Sequence, residues 1–322
     1  MGGNMKKLSL ILVLLCVALS FIGCDLMENK KAKGEEYYQQ GMKCIDDSLE
    51  KKDYARALKL FTKAAESGHA AGQYQLGKLY YFGDGTPQND SEAFKWLSLA
   101  VEQGNADALR NLGYMYYEGR GVKKDYSKAL ELTRQAAERG NAVAQHNLGV
   151  SYRDALGVKK DMGEALIWFR KAASQNFASS QVNLGWCYEN GEGVEKDIKE
   201  AAKWYQKAAD QGDAYAQNAI AILYEEGKGL VQNQGEAIKY YRLAAEQGYS
   251  YAQNNLGICY ENGQGVEKSN TEAYYWYLLA AAGGNEDGLN NRDRISETLG
   301  KEKREEIQAK ASKWMEENPP KD

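Results

Sequence analysis

Two serines stand in contexts that could support nucleophilic chemistry. Ser48-Leu49-Glu50-Lys51 fits the S-x-x-K pattern, in which a lysine helps to remove the proton of the serine hydroxyl, and Ser174-Gln175-Asn176 fits an accompanying S-x-N pattern. The third part of that constellation, a Lys-Thr-Gly or Lys-Ser-Gly triplet, occurs nowhere in the chain. One S-x-x-K is expected by chance among so many Ser and Lys residues, so hydrolysis stays an alternative.

Other chemistry has little material in this sequence. The 322 residues include 2 His and 5 Cys, too few and too scattered for a metal centre, and no P-loop, H-E-x-x-H or dinucleotide-binding motif occurs. His146 lies in no catalytic sequence motif, which favours a surface or packing role. A formal charge of −4 argues against nucleic-acid binding. We therefore expect no cofactor, no metal and a monomeric chain.

The N-terminus has the pattern of a targeting segment. Lys6 and Lys7 precede an apolar run over residues 8–22, which is shorter than the roughly 20 residues of a spanning helix. The run leads into Ile22-Gly23-Cys24, which resembles a bacterial lipobox with Cys24 as the lipidated residue. We expect a signal peptide over 1–23, a polar tether over 24–33 and a lipid-anchored protein of the bacterial cell envelope, periplasmic or surface-exposed. An ordinary signal peptide with a chance cysteine remains the alternative, and Met5 could equally be the true start.

The rest of the chain repeats every 36 residues. One ladder consists of small residues at this spacing: Gly68, Gly104, Gly140, Asn176, Gly212, Gly248 and Gly284. A second ladder consists of tyrosines: Tyr80, Tyr116, Tyr152, Tyr188, Tyr224 and Tyr260. A third ladder consists of alanines: Ala57, Ala93, Ala129, Ala165, Ala201, Ala237 and Ala273. A period of this length predicts a repeat architecture, with seven repeats over 34–283.

Each repeat has the pattern of two helices joined by a tight turn. In the first helix, Leu76, Gly77 and Tyr80 share one face, and the glycine predicts a close approach of the neighbouring helix. Gly-x-Gly pairs such as Gly119-Arg120-Gly121 then turn the chain. The second helix opens with a capping pattern such as Asp161 with Glu164. Residues 284–322 lose the repeat but keep helical character, which predicts a terminal cap.

The repeat resembles the Sel-one-like repeat (SLR), a relative of the tetratricopeptide repeat. The pattern is clearest over 142–158 and 194–209. The resemblance implies an all-α fold, a right-handed α/α solenoid of about seven helix-turn-helix repeats with a C-terminal capping helix. It also implies an adapter that binds a protein, a peptide or an envelope component, and it implies no chemistry. A β-lactamase-like or other cell-wall hydrolase is the alternative.

The cysteines of the repeats are too far apart in the sequence to pair within one repeat. No repeat holds two cysteines, so we expect Cys44, Cys187 and Cys259 to be unpaired thiols that fill small core sites.

In a two-helix solenoid the first helices line the concave side, which predicts a binding groove that is basic and aromatic in its first half and carries Glu189, Glu225 and Glu261 in its second. The candidate partner-binding residues are Tyr74, Lys78, Tyr81, Arg110, Tyr114, Tyr117, His146, Arg153, Trp186, Glu189, Tyr215 and Tyr251.

Overall fold

The computed structural model describes residues 28–319, and these form sixteen helices and no strand. The signal peptide and Cys24 lie outside the described residues. Helix α1 covers 28–44. The following helices are α2 (Tyr54–Glu66), α3 (Ala70–Phe82), α4 (Asp90–Glu102), α5 (Ala106–Glu118), α6 (Tyr126–Glu138), α7 (Ala142–Asp154), α8 (Met162–Ser174), α9 (Ala178–Asn190), α10 (Ile198–Asp210), α11 (Ala214–Glu226), α12 (Gln234–Glu246), α13 (Ser250–Asn262), α14 (Asn270–Ala282), α15 (Glu286–Ser296) and α16 (Lys301–Glu317).

The all-α prediction is therefore confirmed for the described part of the chain. It forms two compact units that divide between Leu148 and Gly149, and the described residues 28–148 and 149–319 are treated separately below as unit 1 and unit 2. The predicted tether is helical where it is described, because residues 28–33 belong to α1 and consist mainly of Glu, Lys and Ala, which are good helix formers. None of the helices in the described range is both long and apolar enough to cross a membrane.

The helix ends follow the local signals in the sequence. At the start of α8 the Asp161 carboxylate accepts the N–H of Glu164 at 3.0 Å, and Asn89 caps α4 in the same way. Asp125 caps α6 although it lacks the glutamate of the full capping pattern. At the end of α5, Gly119 has a φ of +75°, a backbone conformation that favours glycine.

Glycine on the buried face of a first helix admits a side chain of the second helix, as predicted. A Cβ on Gly77 would lie 2.8 Å from the Leu97 side chain. In unit 2, a Cβ on Gly185 would lie 2.6 Å from the ring of Tyr205, which is fully buried. The small residue thus sets the distance between the two helices of a repeat, and the second helix fills the space with a large side chain.

A buried glutamine near the start of the first helix joins three segments of unit 2. Gln181 donates to the carbonyl oxygen of Ala173, in the preceding second helix, and accepts from Gln211 at 2.7 Å, at the end of the next second helix. Gln217 repeats this arrangement with Ala209 and Gln247 in the following repeat. These bonds satisfy polar groups that stacking would otherwise bury without partners.

The C-terminal helices cover the last repeat of unit 2. Ile307 and Ala311 of α16 are buried, and Trp314 packs against the same core cluster. Around this stripe α16 is strongly charged, with exposed pairs such as Lys303 with Glu306. This is the arrangement of the predicted capping helix, apolar towards the repeat and polar towards water.

Candidate partner-binding surfaces

Unit 1 displays a continuous cluster of exposed aromatic rings. The Tyr81 ring lies 4.9 Å from Phe82 and 6.5 Å from Tyr114, and the Tyr117 ring lies 6.4 Å from Tyr114 and 5.3 Å from Tyr126. Phe82 is 61% exposed, Tyr114 52%, Tyr117 47% and Tyr126 54%. We call these five residues the aromatic cluster of unit 1. A contiguous exposed patch of aromatic rings is typical of interaction sites.

An arginine of the turn after α5 holds one side of this cluster. The Arg120 guanidinium lies 3.8 Å from the centroid of the Tyr81 ring, donates to the Tyr81 carbonyl oxygen at 3.0 Å and pairs with the Asp90 carboxylate at 2.6 Å. The guanidinium hydrogen bond holds the pKa of Asp90 below its usual value. Arg120 therefore fixes Tyr81 in place and is not itself a free cation.

The other candidates of unit 1 are less exposed. Lys78 lies 5.6 Å above the ring of Tyr74, whose pKa is raised by burial. Arg110 is half-buried, and its Nε is buried without a hydrogen-bond partner in the described part of the chain. His146 is half-buried.

Unit 2 contains a row of three glutamates, each tied to a tyrosine. Tyr205 donates its hydroxyl to Glu189 at 2.7 Å, and Tyr277 donates to Glu261 at 2.7 Å. Tyr241 donates to Glu225 at 2.6 Å. Burial and the acceptor carboxylate raise the pKa of each tyrosine far above its usual value. We call Glu189, Glu225 and Glu261 the glutamate row.

Three more tyrosines form a series of ring contacts that begins at Tyr205, the tyrosine bound to Glu189. The Tyr215 ring lies 6.2 Å from Tyr205 and 6.4 Å from Tyr249, and the Tyr249 ring lies 5.6 Å from Tyr251. Tyr215 is 40% exposed and Tyr251 60% exposed. Tyr249 was not predicted from the sequence, because it precedes the first helix rather than lying on its outward face.

Arg153 and Trp186 were predicted as outward anchors, and the structure places both in internal contacts of unit 2. The Arg153 guanidinium binds the Asp154 carboxylate at 2.7 Å and Asn183 at 2.6 Å. Trp186 is half-buried and packs against the core cluster that contains Cys187. Direct binding through either residue stays a prediction.

The residues considered for chemistry have structural partners. The Ser48 hydroxyl donates to Asp46 at 2.6 Å, and the Ser174 hydroxyl donates to the carbonyl oxygen of Lys171. Cys187 and Cys259 are buried free thiols, as their predicted packing role requires, and burial raises the pKa of Cys187 to about 11. Among residues 28–319, no group of three His, Cys, Asp or Glu side chains could hold a metal ion.

The repeat pattern matches a known family model over most of the chain. The Sel1 repeat is found seven times, at 34–69, 70–105, 106–141, 142–177, 178–213, 214–249 and 250–285. The chain therefore belongs to the Sel1 repeat family, which confirms the resemblance drawn from the sequence. Sel1 repeat proteins are protein-interaction scaffolds.

Similar solved structures share this fold. A Sel1 repeat protein from Oxalobacter formigenes is 32% identical, with a TM-score of 0.67, over 78% of this chain and 98% of that one. The protein c5321, a protective antigen of uropathogenic Escherichia coli with an SLR fold, is 29% identical, with a TM-score of 0.61, over 91% of this chain and 69% of that one. An uncharacterized protein of Neisseria meningitidis serogroup B is 40% identical over 62 residues, which span 17% of this chain and 12% of that relative.

Proposed function

We propose that this protein is a lipid-anchored scaffold of the bacterial cell envelope that holds a protein partner on the outward faces of its first helices. The observation that carries the proposal is the aromatic cluster of unit 1. Its four most exposed rings, at 47–61% exposure, form a patch that water solvates poorly and that a partner surface would cover.

The envelope location rests on the N-terminal sequence. A basic start, a short apolar run and Cys24 after Gly23 supply the parts of a lipoprotein signal. The relative c5321 is a protective antigen, and exposure at the cell surface would suit such a protein. The proposed scaffold acts through binding rather than catalysis, and the contacts of Ser48 and Ser174 give no support to the hydrolase alternative.

Lipid attachment is tested by comparing two cysteine variants. Cells that express the wild-type chain, Cys24→Ala or Cys16→Ala are labelled with a palmitate analogue and separated into membrane and soluble fractions. We expect Cys24→Ala to lose both the label and membrane association, whereas Cys16→Ala keeps both. Label in Cys24→Ala would show that the anchor lies elsewhere.

Partner binding is tested by cross-linking intact cells and recovering the chain. The test variant is Tyr114→Ala with Tyr251→Ala, which truncates one exposed ring in each unit. The control variant is Ile167→Ala with Leu243→Ala, which truncates equally apolar side chains on second helices that are 44% and 41% exposed. We expect the test variant to lose the partners that the wild type and the control recover. Equal recovery by both variants would overturn the assignment of the first-helix faces.

A further inference from the structure

The glutamate row of unit 2 is built around tyrosine hydroxyls that packing alone does not need. Phe169 occupies the same position in its own repeat as Tyr205 does in the next. Both rings approach a glycine closely, since a Cβ on Gly149 would lie 2.7 Å from Phe169 and one on Gly185 would lie 2.6 Å from Tyr205. A phenylalanine therefore fills the site, and the hydroxyl serves to hold the carboxylate of Glu189 in a fixed orientation.

Tyrosine and glutamate occur together within this chain. The three repeats with a tyrosine at this second-helix position also have a glutamate 16 residues earlier, as in Tyr205 with Glu189. The repeat with Phe169 has Arg153 at the corresponding position. The pairing indicates that these repeats use the hydroxyl to orient an acceptor on the face of the first helix.

The last glutamate of the row shows which ligand such a carboxylate accepts. Arg294 of α15 places its Nη1 on one oxygen of Glu261 and its Nη2 on the other at 2.8 Å, while Tyr277 donates to the same carboxylate. The guanidinium hydrogen bond holds the pKa of Glu261 below its usual value. This two-pronged contact is the geometry in which arginine binds carboxylates most strongly.

The chain supplies this arginine only to the last member of the row. Arg294 follows Glu261 by 33 residues, and the residues at the same interval after Glu189 and Glu225 are Ile222 and Ile258. Among the described residues, neither Glu189 nor Glu225 makes an ion pair, and the nearby Lys228 is paired with Glu226 at 2.8 Å. Two oriented carboxylates are thus left without an ion-pair partner among the described residues, although the charge of Glu189 still acts on Lys228.

We propose that Glu189 and Glu225 bind the guanidinium groups of arginines in an extended segment of the protein partner, with the contact between Arg294 and Glu261 as the intramolecular copy. The Tyr215 ring is 40% exposed and lies beside Tyr205, which donates to Glu189, so it offers a face on which a guanidinium can stack. Arginine fits better than lysine, because an ammonium is a point charge and cannot span both carboxylate oxygens.

The spacing of the arginines follows from the packing of the repeats. First helices of successive repeats bond directly in unit 2, as Asn255 does to Asn218 at 3.0 Å. Packed helices lie roughly 8–10 Å apart, and a segment in the extended polyproline II conformation rises about 3.1 Å per residue with three residues per turn, so every third side chain points to the same side. Arginines three residues apart would therefore reach Glu189 and Glu225 together. This inference rests on the proposed function, since it names the partner's chemistry on one of its surfaces.

The test is a titration of the full chain with a fluorescent peptide. The probe is a ten-residue Gly/Ser peptide with two arginines three residues apart, and matched peptides carry lysine or glutamate instead. We expect saturable anisotropy at about 50 mM salt for the arginine probe, binding several-fold weaker for the lysine probe and none for the glutamate probe. Higher salt should weaken the binding only moderately, because the sites are partly buried.

Three glutamate variants test whether the glutamate row itself binds the probe, rather than the negative charge of the chain in general. Glu189→Gln and Glu225→Gln keep an acceptor for the tyrosine hydroxyl and remove one charge, so the fold is retained, which a circular dichroism melt checks. Each should weaken the arginine probe about tenfold, whereas Glu246→Gln on a second helix should change it less than twofold. Equal losses in all three variants, or no saturable binding, would overturn the proposal.

A cross-linking experiment in cells distinguishes the failure of this inference from the failure of the proposed function. Cross-linking is repeated with Glu189→Gln and Glu225→Gln combined. If this variant recovers the partners as well as the wild type does, the arginine inference fails and the scaffold proposal stands. If the wild-type chain itself cross-links no protein in intact cells, the proposed function fails, whatever the peptide titration shows.

Discussion

The turn between the two helices of a repeat allows a sharp test of how the repeats stack. Gly121 has a φ of +67°, and a Cβ there would lie 2.2 Å from the carbonyl oxygen of Asp90 in the preceding repeat. In Gly121→Ala the left-handed backbone costs about 1–2 kcal/mol, and overpacking against a rigid backbone costs about 1–3 kcal/mol more. We therefore expect the free energy of unfolding to fall by about 2–5 kcal/mol.

The matched control is Gly140→Ala. Gly140 has a φ of +92°, and a Cβ there meets nothing within 4 Å, so only the backbone term of about 1–2 kcal/mol applies. Other repeats show that a side chain is tolerated where only the backbone conformation is at issue. Asn176 stands at the position of Gly140 with a φ of +64°, and Ala155 stands at the position of Gly119 with a φ of +59°. The second glycine of the turn, by contrast, is glycine in every repeat that has the turn.

The assay is urea unfolding followed by far-ultraviolet circular dichroism, with the two variants and the wild type measured side by side. Repeat proteins can unfold in steps, so the first transition is compared. If Gly121→Ala costs no more than Gly140→Ala, the close contact between the turn and the preceding repeat does not hold.

Three further outcomes follow from the contacts described. Because the Arg120 hydrogen bond holds the pKa of Asp90 below its usual value, the carboxylate stabilises the folded state above the usual pKa, and this contribution is lost as pH falls through the lower pKa of the folded state. The stability gap to Asp90→Asn, measured by urea titration, should therefore shrink on acidification, and a constant gap would contradict it. Cys187 is buried, and burial raises its pKa to about 11, so a thiol reagent at pH 8 should label it only after denaturation; labelling of the folded chain at the rate of a free thiol would contradict this. Ile307→Ala should cost about 2–4 kcal/mol in a urea melt because Ile307 is 5% exposed, and a cost under about 0.5 kcal/mol would mean that α16 does not cap the repeats.

The sequence predicted best those features that depend on neighbouring residues. A cap such as Asn89 bonds a backbone group three residues away, so its residue type is sufficient to predict it. The glycine turns are equally local, because only the backbone conformation of one residue is at issue. Periodicity added the close approach of the second helix to Gly77, whereas the side chain that meets it, Leu97, was not predicted.

Contacts that join separate segments were predicted less well. Phe82 and Tyr126 belong to the aromatic cluster of unit 1 but lie at the end of α3 and the start of α6, outside the stripe of the first helices. Arg153 lies on that stripe, yet its guanidinium turns to Asp154 and Asn183, a choice that depends on three-dimensional distances.

The glutamate row was predicted as an acidic row, whereas its tyrosine partners were not. The signal was present, because Tyr205, Tyr241 and Tyr277 each follow a glutamate of the row by 16 residues. It could not be interpreted from the sequence because a tyrosine on the buried face is expected to contribute its ring. In the structure, the hydroxyl of each of these second-helix tyrosines donates to the glutamate on the first helix of the same repeat.

Site-specific photo-cross-linking in intact cells can determine whether a partner binds to the first-helix faces. A photoreactive residue replaces Tyr114 or Tyr251 in the test chains, and Ile167 or Leu243 in the control chains. We expect discrete protein adducts from the test positions and none from the controls. Adducts from the controls alone, or equally from all four positions, would contradict this expectation.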